Sequence, residues 1–122
     1  AGVFVAQFEG EMNFVKGKVV NEGQIESPLG LFATAVPNGL SAGASITLAI
    51  RPEHVKVTAA SSYGTPATLG KIASKNYLGD AALLEVEDKG VTLMAKLAGD
   101  CDLAVGAQAV VEFPAHRWHV FP

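Results

Sequence analysis

The feature that most constrains the fold of this 122-residue chain is a period of two in its apolar residues, repeated in short runs broken by glycine or proline. Ile46, Leu48 and Ile50 fall on one face of such a run, with Thr47 and Ala49 on the other. Ala82, Leu84 and Val86 form a second set, Val91, Leu93, Ala95 and Leu97 a third, and Ala109, Val111 and Phe113 a fourth. Alternation over so few residues is the pattern of half-buried strands, because successive side chains of a strand point to opposite faces. Asp88-Lys89-Gly90 between two of these runs predicts a hairpin connection, with Gly90 supplying a positive φ. Pro37-Asn38-Gly39 predicts a turn on the same chemical grounds. The uncharged stretch Leu31–Ile50 contains Pro37, Asn38, Gly39, Ser41, Gly43 and Ser45, so it is expected as two strands and a turn rather than a membrane helix. Helical spacing is confined to the start. Phe4 and Phe8, with Val5 beside them, predict a short amphipathic helical turn over Ala1–Phe8 that ends at Gly10.

The chain also repeats itself weakly. Gly17-Lys18-Val19 and Gly70-Lys71-Ile72 are expected to start strands, offset by 53 residues. Leu40-Ser41-Ala42-Gly43 precedes one strand run as Leu103-Ala104-Val105-Gly106 precedes another, offset by 63. Two glycine-started strand groups of this size predict an all-β, barrel-like body made of two similar tandem units. Ser61-Ser62-Tyr63-Gly64-Thr65-Pro66 is the expected connection between them.

Charge and composition remove several classes of function. Nine Lys+Arg against twelve Asp+Glu leave a net charge of −3, and no run of bases reaches three. A nucleic-acid domain draws most of its affinity from neutralising phosphates on a basic face, so nucleic-acid binding is not expected. One Trp, two Tyr and six Phe, several in core-like positions, also make a poor stacking groove. With 49% hydrophobic and 17% charged residues the chain has ample material for a core, and disorder is excluded. The single cysteine, Cys101, forms no internal disulfide and suits a reducing compartment. No secretory signal pattern is present. The start at Ala1, without methionine, suggests a piece of a larger protein.

Catalytic patterns are missing. Neither Gly39-Leu40-Ser41-Ala42-Gly43 nor Gly70-Lys71-Ile72 has the spacing of a P-loop. His116 and His119 stand three apart, with His54, Cys101, Asp100 and Asp102 elsewhere, which is one ligand pair where a tetrahedral metal site needs two; no metal is expected. Asp100 and Asp102 flank Cys101, negative charge beside a would-be thiolate being the opposite of activation. Glu85 with Glu87, and Asp100 with Asp102, are expected as solubilising charge on solvated strand faces. This chain alone is not expected to be an enzyme. One unit stands apart: in Ile50-Arg51-Pro52-Glu53-His54-Val55, Pro52 must end the preceding strand. Arg51 and Glu53 flank it, either as a structural corner with an ion pair or as an interface with another domain.

Ile50-Arg51-Pro52-Glu53-His54-Val55 resembles the Arg-Pro-Glu-His segment in the C-terminal regulatory domain of ABC importer ATPases of the maltose, polyamine and ferric-ion type. Two further stretches fit the same domain in the same order. Phe4–Phe14, including Gly10 and Asn13, is similar to the joint with the nucleotide-binding domain. Asn76-Tyr77-Leu78-Gly79-Asp80 is similar to a turn in the second half, and Val120-Phe121 to the usual end. The resemblance implies a TOBE (transport-associated OB) domain: an OB-like β-barrel in which residues 1–13 are the joint, 14–60 a first unit and 67–122 a second. It further implies a regulatory and dimerisation role on the cytoplasmic side of a bacterial inner membrane. Gly10, Asn13, Arg51, Pro52, Glu53, Tyr77, Gly79 and Asp80 are then interface or shape residues, and none is catalytic. The implied partners are the chain's own nucleotide-binding domain, a second copy of the ATPase subunit and, through the complex, a membrane permease. No cofactor is expected in this chain, since ATP and magnesium belong to the nucleotide-binding domain. Gly10-Glu11-Met12-Asn13-Phe14 leans towards the polyamine or ferric type. The alternative is a tandem oxyanion-binding module for molybdate or tungstate, for which Lys18, Ser27, Lys71 and Ser74 are the available side chains.

Overall fold

The computed structural model describes residues 5–7, 11–60 and 69–122. Among them, β1 (Val5–Gln7), β2 (Glu11–Asn21), β3 (Gln24–Ser27), β4 (Gly30–Ala33) and β5 (Ser45–Ile50) precede a short 3-10 turn at Pro52–His54. After it come β6 (Lys56–Ala59), β7 (Leu69–Leu78), β8 (Ala81–Asp88), β9 (Val91–Ala98) and β10 (Gln108–Glu112). A second 3-10 turn at Ala115–Arg117 leads to β11 (His119–Phe121). The fold is all-β, as the alternation requires, and OB-like, as the resemblance implies.

Two antiparallel sheets share one core. The first has the order β11-β5-β2-β3-β4, with β1 on β2; the second has the order β6-β10-β7-β8-β9. The two orders match strand for strand, yet each sheet is completed by a strand from the other half of the chain. β6 follows the first 3-10 turn out of the first sheet and pairs with β10, whereas β11 follows the second turn back and pairs with β5. The buried cluster accordingly draws on both, with Val15, Ile25, Leu48 and Ile50 against Ile72, Leu84, Leu93 and Val111. Each such side chain, fully buried, contributes roughly 1.5–3 kcal/mol.

The alternating sets fall where the period placed them except at two ends: Leu97 is half-buried, and Phe113, also half-buried, lies just past the end of β10. Ile46, Leu48, Ile50, Ala82, Leu84, Val86, Val91, Leu93, Ala95, Ala109 and Val111 are all buried. Ala49 and Val110, on the opposite faces of β5 and β10 from Leu48 and Val111, are buried as well, so the middles of these two strands are covered on both faces.

Three local expectations are corrected. Val5–Gln7 is a strand rather than part of a helical turn, pairing Val5 with Asn13, Ala6 with Met12 and Gln7 with Glu11. A single helical turn is marginal on its own, whereas pairing with β2 joins these residues to an existing ladder. The other residues of that expected turn, Phe4 and Phe8 among them, and Gly10 lie outside the described residues, as does the connection at Ser61–Pro66. Gly17 does not start a strand but sits in the middle of β2, and Gly70 is the second residue of β7. A Cβ on Gly17 would stand 2.9 Å from both the Glu26 carbonyl oxygen and Ile25 Cγ2; one on Gly70 would stand 2.7 Å from Val86 Cγ1. Both glycines are there because neighbouring strands leave no room for a methyl group. Asp100 and Asp102 lie in the turn and loop after β9 rather than on a strand, and Glu85 in β8 is half-buried.

The second repeated motif is a turn with a hydrogen-bonding role. Gly43 (φ +89°) and Gly106 (φ +90°) donate their N–H groups to the Val19 and Ile72 carbonyls, both at 2.7 Å. Val19 and Ile72 donate back to Ala44 and Ala107. The offsets of 53 and 63 thus mark one turn built twice, with glycine where the backbone is left-handed.

The β8–β9 hairpin closes through Lys89 (φ +50°) and Gly90 (φ +80°), the primed-turn geometry that suits strand twist. Beside it, Asp88 is buried, its carboxylate 3.8 Å from the Lys89 ammonium and its Oδ2 without a partner among the described residues. Burial pushes this carboxyl above its ordinary value of 3.8, against the opposing pull of Lys89. The folded chain therefore holds the proton to higher pH than the unfolded chain, and stability falls as pH rises from the ordinary value through the raised one. Asp88→Asn is expected to raise Tm at pH 7 by a few degrees and to leave it unchanged below pH about 3, where both side chains are neutral. Gly70→Ala is expected to lower the unfolding free energy by about 1–3 kcal/mol, read from urea titration followed by Trp118 fluorescence.

Candidate functional site

The residues singled out in the sequence gather in two places along β9. The first is a junction between the sheets. Asn13 lies in β2, paired with Ile50 of β5, and its side chain is fully buried. Its Nδ2 donates to the Met94 carbonyl (2.8 Å) and its Oδ1 accepts from the Met94 N–H (2.7 Å). The side-chain amide thereby takes the place of a neighbouring strand on the outer edge of β9. Asparagine suits this position because its amide offers a donor and an acceptor side by side, matching a backbone residue.

One residue beyond Ile50 the chain turns the corner. Arg51 is extended (φ −70°, ψ 145°), and Pro52 occupies the first position of the 3-10 turn, where a missing N–H costs nothing. His54 N–H donates to the Arg51 carbonyl (3.0 Å) and Val55 N–H to that of Pro52 (3.2 Å). Pro52 and Val55 are buried, and the turn packs against β9. Arg51 and Glu53 are exposed, and neither has an ion-pair partner among the described residues, so the expected ion pair at this corner does not form. The corner is held by Pro52 and Val55. His54 is half-buried, with Nδ1 enclosed and unpartnered among the described residues.

The second place is the tip of the β7–β8 hairpin. Tyr77 (65% exposed) and Leu78 precede Gly79, whose φ of +71° makes the turn, and Asp80. The Asp80 carbonyl accepts from Gly99 N–H (2.9 Å), which ties the tip to the end of β9. Lys75 lies with its ammonium 5.1 Å from the Tyr77 ring centre and donates to the Cys101 carbonyl (2.8 Å). A side-chain hydrogen bond with Tyr77 holds the Lys75 ammonium above its ordinary range, against a lowering by burial. In register, Tyr77 stands opposite Ala82 and so beside Leu97, three residues along β9 from Met94. The tip and the junction are therefore separate features on one strand, and Gly10 lies outside the described residues.

The remaining candidates are scattered. Lys18 and Ser27 line a shallow hollow of about 590 Å³ on the first sheet, with Lys16, Ser45 and Thr47, but Lys18 faces Glu26 across the strands. Lys71 and Ser74 belong to β7 in the second sheet, where the Ser74 hydroxyl donates to Glu85 Oε1 (2.6 Å). His116 and His119 line another hollow, of about 380 Å³, beside Trp118. Among the described residues no group of three or more His, Cys, Asp and Glu is placed to hold a metal ion.

Sequence reasoning missed Met94, which contributes only backbone, and the counterpart of the Pro52 corner in the second half. There Trp118 is buried after the second 3-10 turn and packs with Phe32 of β4 (ring centres 4.9 Å) and Phe113 (5.2 Å). The recurrence of Pro-x-His at Pro52–His54 and Pro114–His116 is the signal that could have found it.

A sequence profile described as the TOBE domain matches residues 48–121. The sn-glycerol-3-phosphate import ATP-binding protein of Salmonella choleraesuis is 32% identical over 128 aligned residues, covering 99% of this chain and 34% of its own length. The spermidine/putrescine import ATP-binding protein PotA 1 of Pseudomonas aeruginosa is 39% identical over 85 residues, 62% of this chain and 21% of that protein. The chain thus spans about a third or less of the length of these curated relatives. Among solved structures, the cytoplasmic molybdate-binding protein ModG, crystallised with molybdate bound, superposes with a TM-score of 0.78 over 95% of this chain and 99% of that one. At 18% identity this is a likeness of fold.

The junction makes its own prediction. Asn13→Ala leaves the Met94 N–H and carbonyl inside the protein without partners, at about 1–3 kcal/mol for each lost bond. A lower unfolding midpoint is expected, together with faster amide exchange at Met94; an unchanged exchange rate would show that Asn13 does not hold this edge.

Proposed function

Because the chain belongs to the TOBE domain family, we propose that it is the regulatory and dimerisation domain of the ATP-binding subunit of an ABC importer. The observation that carries this reading is the alignment of an import ATP-binding protein over 99% of the chain. The arrangement of the motif residues supports it. Asn13, Pro52, Gly79 and Asp80 maintain the shape of the body, while Arg51, Glu53 and Tyr77 are left on its surface, where a partner domain can reach them.

In this reading the chain holds no cofactor of its own. ATP and magnesium bind in the nucleotide-binding domain, which is its first partner, with a second ATPase subunit and a membrane permease reached through the complex. No helix among the described residues is long and apolar enough to cross a membrane. A peripheral position on the cytoplasmic face of a bacterial inner membrane accords with the role. The spermidine/putrescine relative agrees with the polyamine leaning of Gly10–Phe14, whereas the longer alignments are with sn-glycerol-3-phosphate importers. Solute choice belongs to the binding protein and permease, not to this domain.

The second reading, an oxyanion-binding module, draws on the fold of the molybdate-binding protein. Against it stands the side-chain geometry: Lys18 and Ser27 lie on one sheet and Lys71 and Ser74 on the other, with Ser74 already bonded to Glu85. Thermal unfolding with molybdate, tungstate and sulfate separates the two. A ligand at a hundred times its Kd stabilises by about 2.7 kcal/mol, a shift of several degrees for a domain of this size. No shift is expected; a clear rise with molybdate or tungstate but not with sulfate overturns the regulatory reading.

A further inference from the structure

Each sheet ends in the second arm of a hairpin, β4 in the first and β9 in the second, and the two ends are treated differently. In an antiparallel ladder alternate residues turn both N–H and C=O away from their neighbour strand. The bond from Thr34 N–H to the Gly23 carbonyl (3.0 Å) sets the phase of the β3–β4 pair. Phe32 therefore bonds inwards to Ile25, and Leu31 and Ala33 direct their N–H and C=O groups outwards. The bond from Gly99 N–H to the Asp80 carbonyl sets the β8–β9 pair in the same way, and Met94 is one of its outward residues. Met94 and Ala33 stand at equal distances from their hairpin turns.

Asn13 takes up the outward groups of Met94. No side chain among the described residues does the same for Leu31 or Ala33. The edge also lacks the usual deterrent. Sheets discourage pairing by placing charges on their edge strands. β9 carries Lys96 and β6 carries Lys56, whereas the chain from Ser27 to Ile50 has no charged residue at all. Leu31 on this edge is 61% exposed.

We propose that β4 pairs with β4 of a second copy of this chain, antiparallel about Phe32, so that Leu31 of one copy bonds Ala33 of the other and the reverse. This register brings outward groups to outward groups on both sides and is its own mate under a two-fold axis. A second copy fits because neither face brings charge to the contact, although each chain is −3 overall. Phe32 keeps its packing on Phe113 and Trp118, since its ring belongs to the core side. The proposal rests on the dimerisation reading and gives it a surface. A four-residue strand covers far less than the ~800 Å² per partner of a stable complex. The contact is therefore weak between free chains and effective where a larger assembly already holds two copies together.

Sedimentation equilibrium of the 122-residue chain from micromolar to millimolar concentration tests this. Self-association is expected, weakened about tenfold or more by Leu31→Lys, with Tm unchanged because the side chain is exposed. In a Cys101→Ser background, a mixture of Leu31→Cys and Ala33→Cys chains should form a disulfide faster than either alone. Directly bonded residues stand about 5.5 Å apart at Cα, within disulfide reach. A dimer indifferent to Leu31→Lys overturns the β4 pairing and leaves dimerisation standing on another surface. A chain monomeric throughout overturns the pairing and leaves this edge to a different extended segment. The importer assignment itself is judged by the oxyanion experiment.

Discussion

The structure depends on a reciprocal crossing of the chain between its two sheets. After β5 the backbone leaves the first sheet through Pro52–His54 and completes the second with β6; after β10 it returns through Ala115–Arg117 and completes the first with β11. Neither half closes its own sheet. Residues buried at the two corners, Pro52 and Val55 in one and Trp118 in the other, hold the crossings in place. A tandem repeat that could have made two marginal bodies, each with too little core, makes one body with a shared core instead.

That arrangement explains why the motif residues are mostly architectural. The Arg-Pro-Glu-His segment is a corner before it is anything else, and its proline is the buried member. Asn13 works at the same corner from the other side, binding the edge of β9 so that the two sheets are joined by hydrogen bonds as well as by apolar contact. An amide is the cheapest way to end a sheet internally. It satisfies one backbone residue completely and brings no charge into the interior.

The same accounting separates the two ends of the molecule. The β9 end is finished by Asn13 and the first 3-10 turn, while the β4 end is covered on its core side by Phe113 and Trp118 but left open along its backbone. The asymmetry between otherwise matching halves leaves one sheet edge with outward-facing backbone groups that no described side chain takes up.

Much of this was legible in the residues themselves. The alternation at Ile46–Ile50 and Ala82–Val86 required strands because the side-chain period is a property of the local backbone. Gly90 announced its turn because a positive φ selects glycine locally, whereas Gly43 and Gly106, read from sequence only as leading into strand runs, are turn glycines whose N–H groups bond to Val19 and Ile72. Other features had no local signature. Val5–Gln7 became a strand because β2 offered it a ladder, and Gly17 is a glycine because Ile25 and Glu26 crowd it from the next strand. The Asn13–Met94 clasp joins residues 81 apart in sequence. The sequence by itself determined the strands, their turns and the family, all carried by short-range chemistry. Only the tertiary structure decided which strand completes which sheet and which edge stays open, because those depend on hydrogen-bonding groups that meet once the chain has closed on itself.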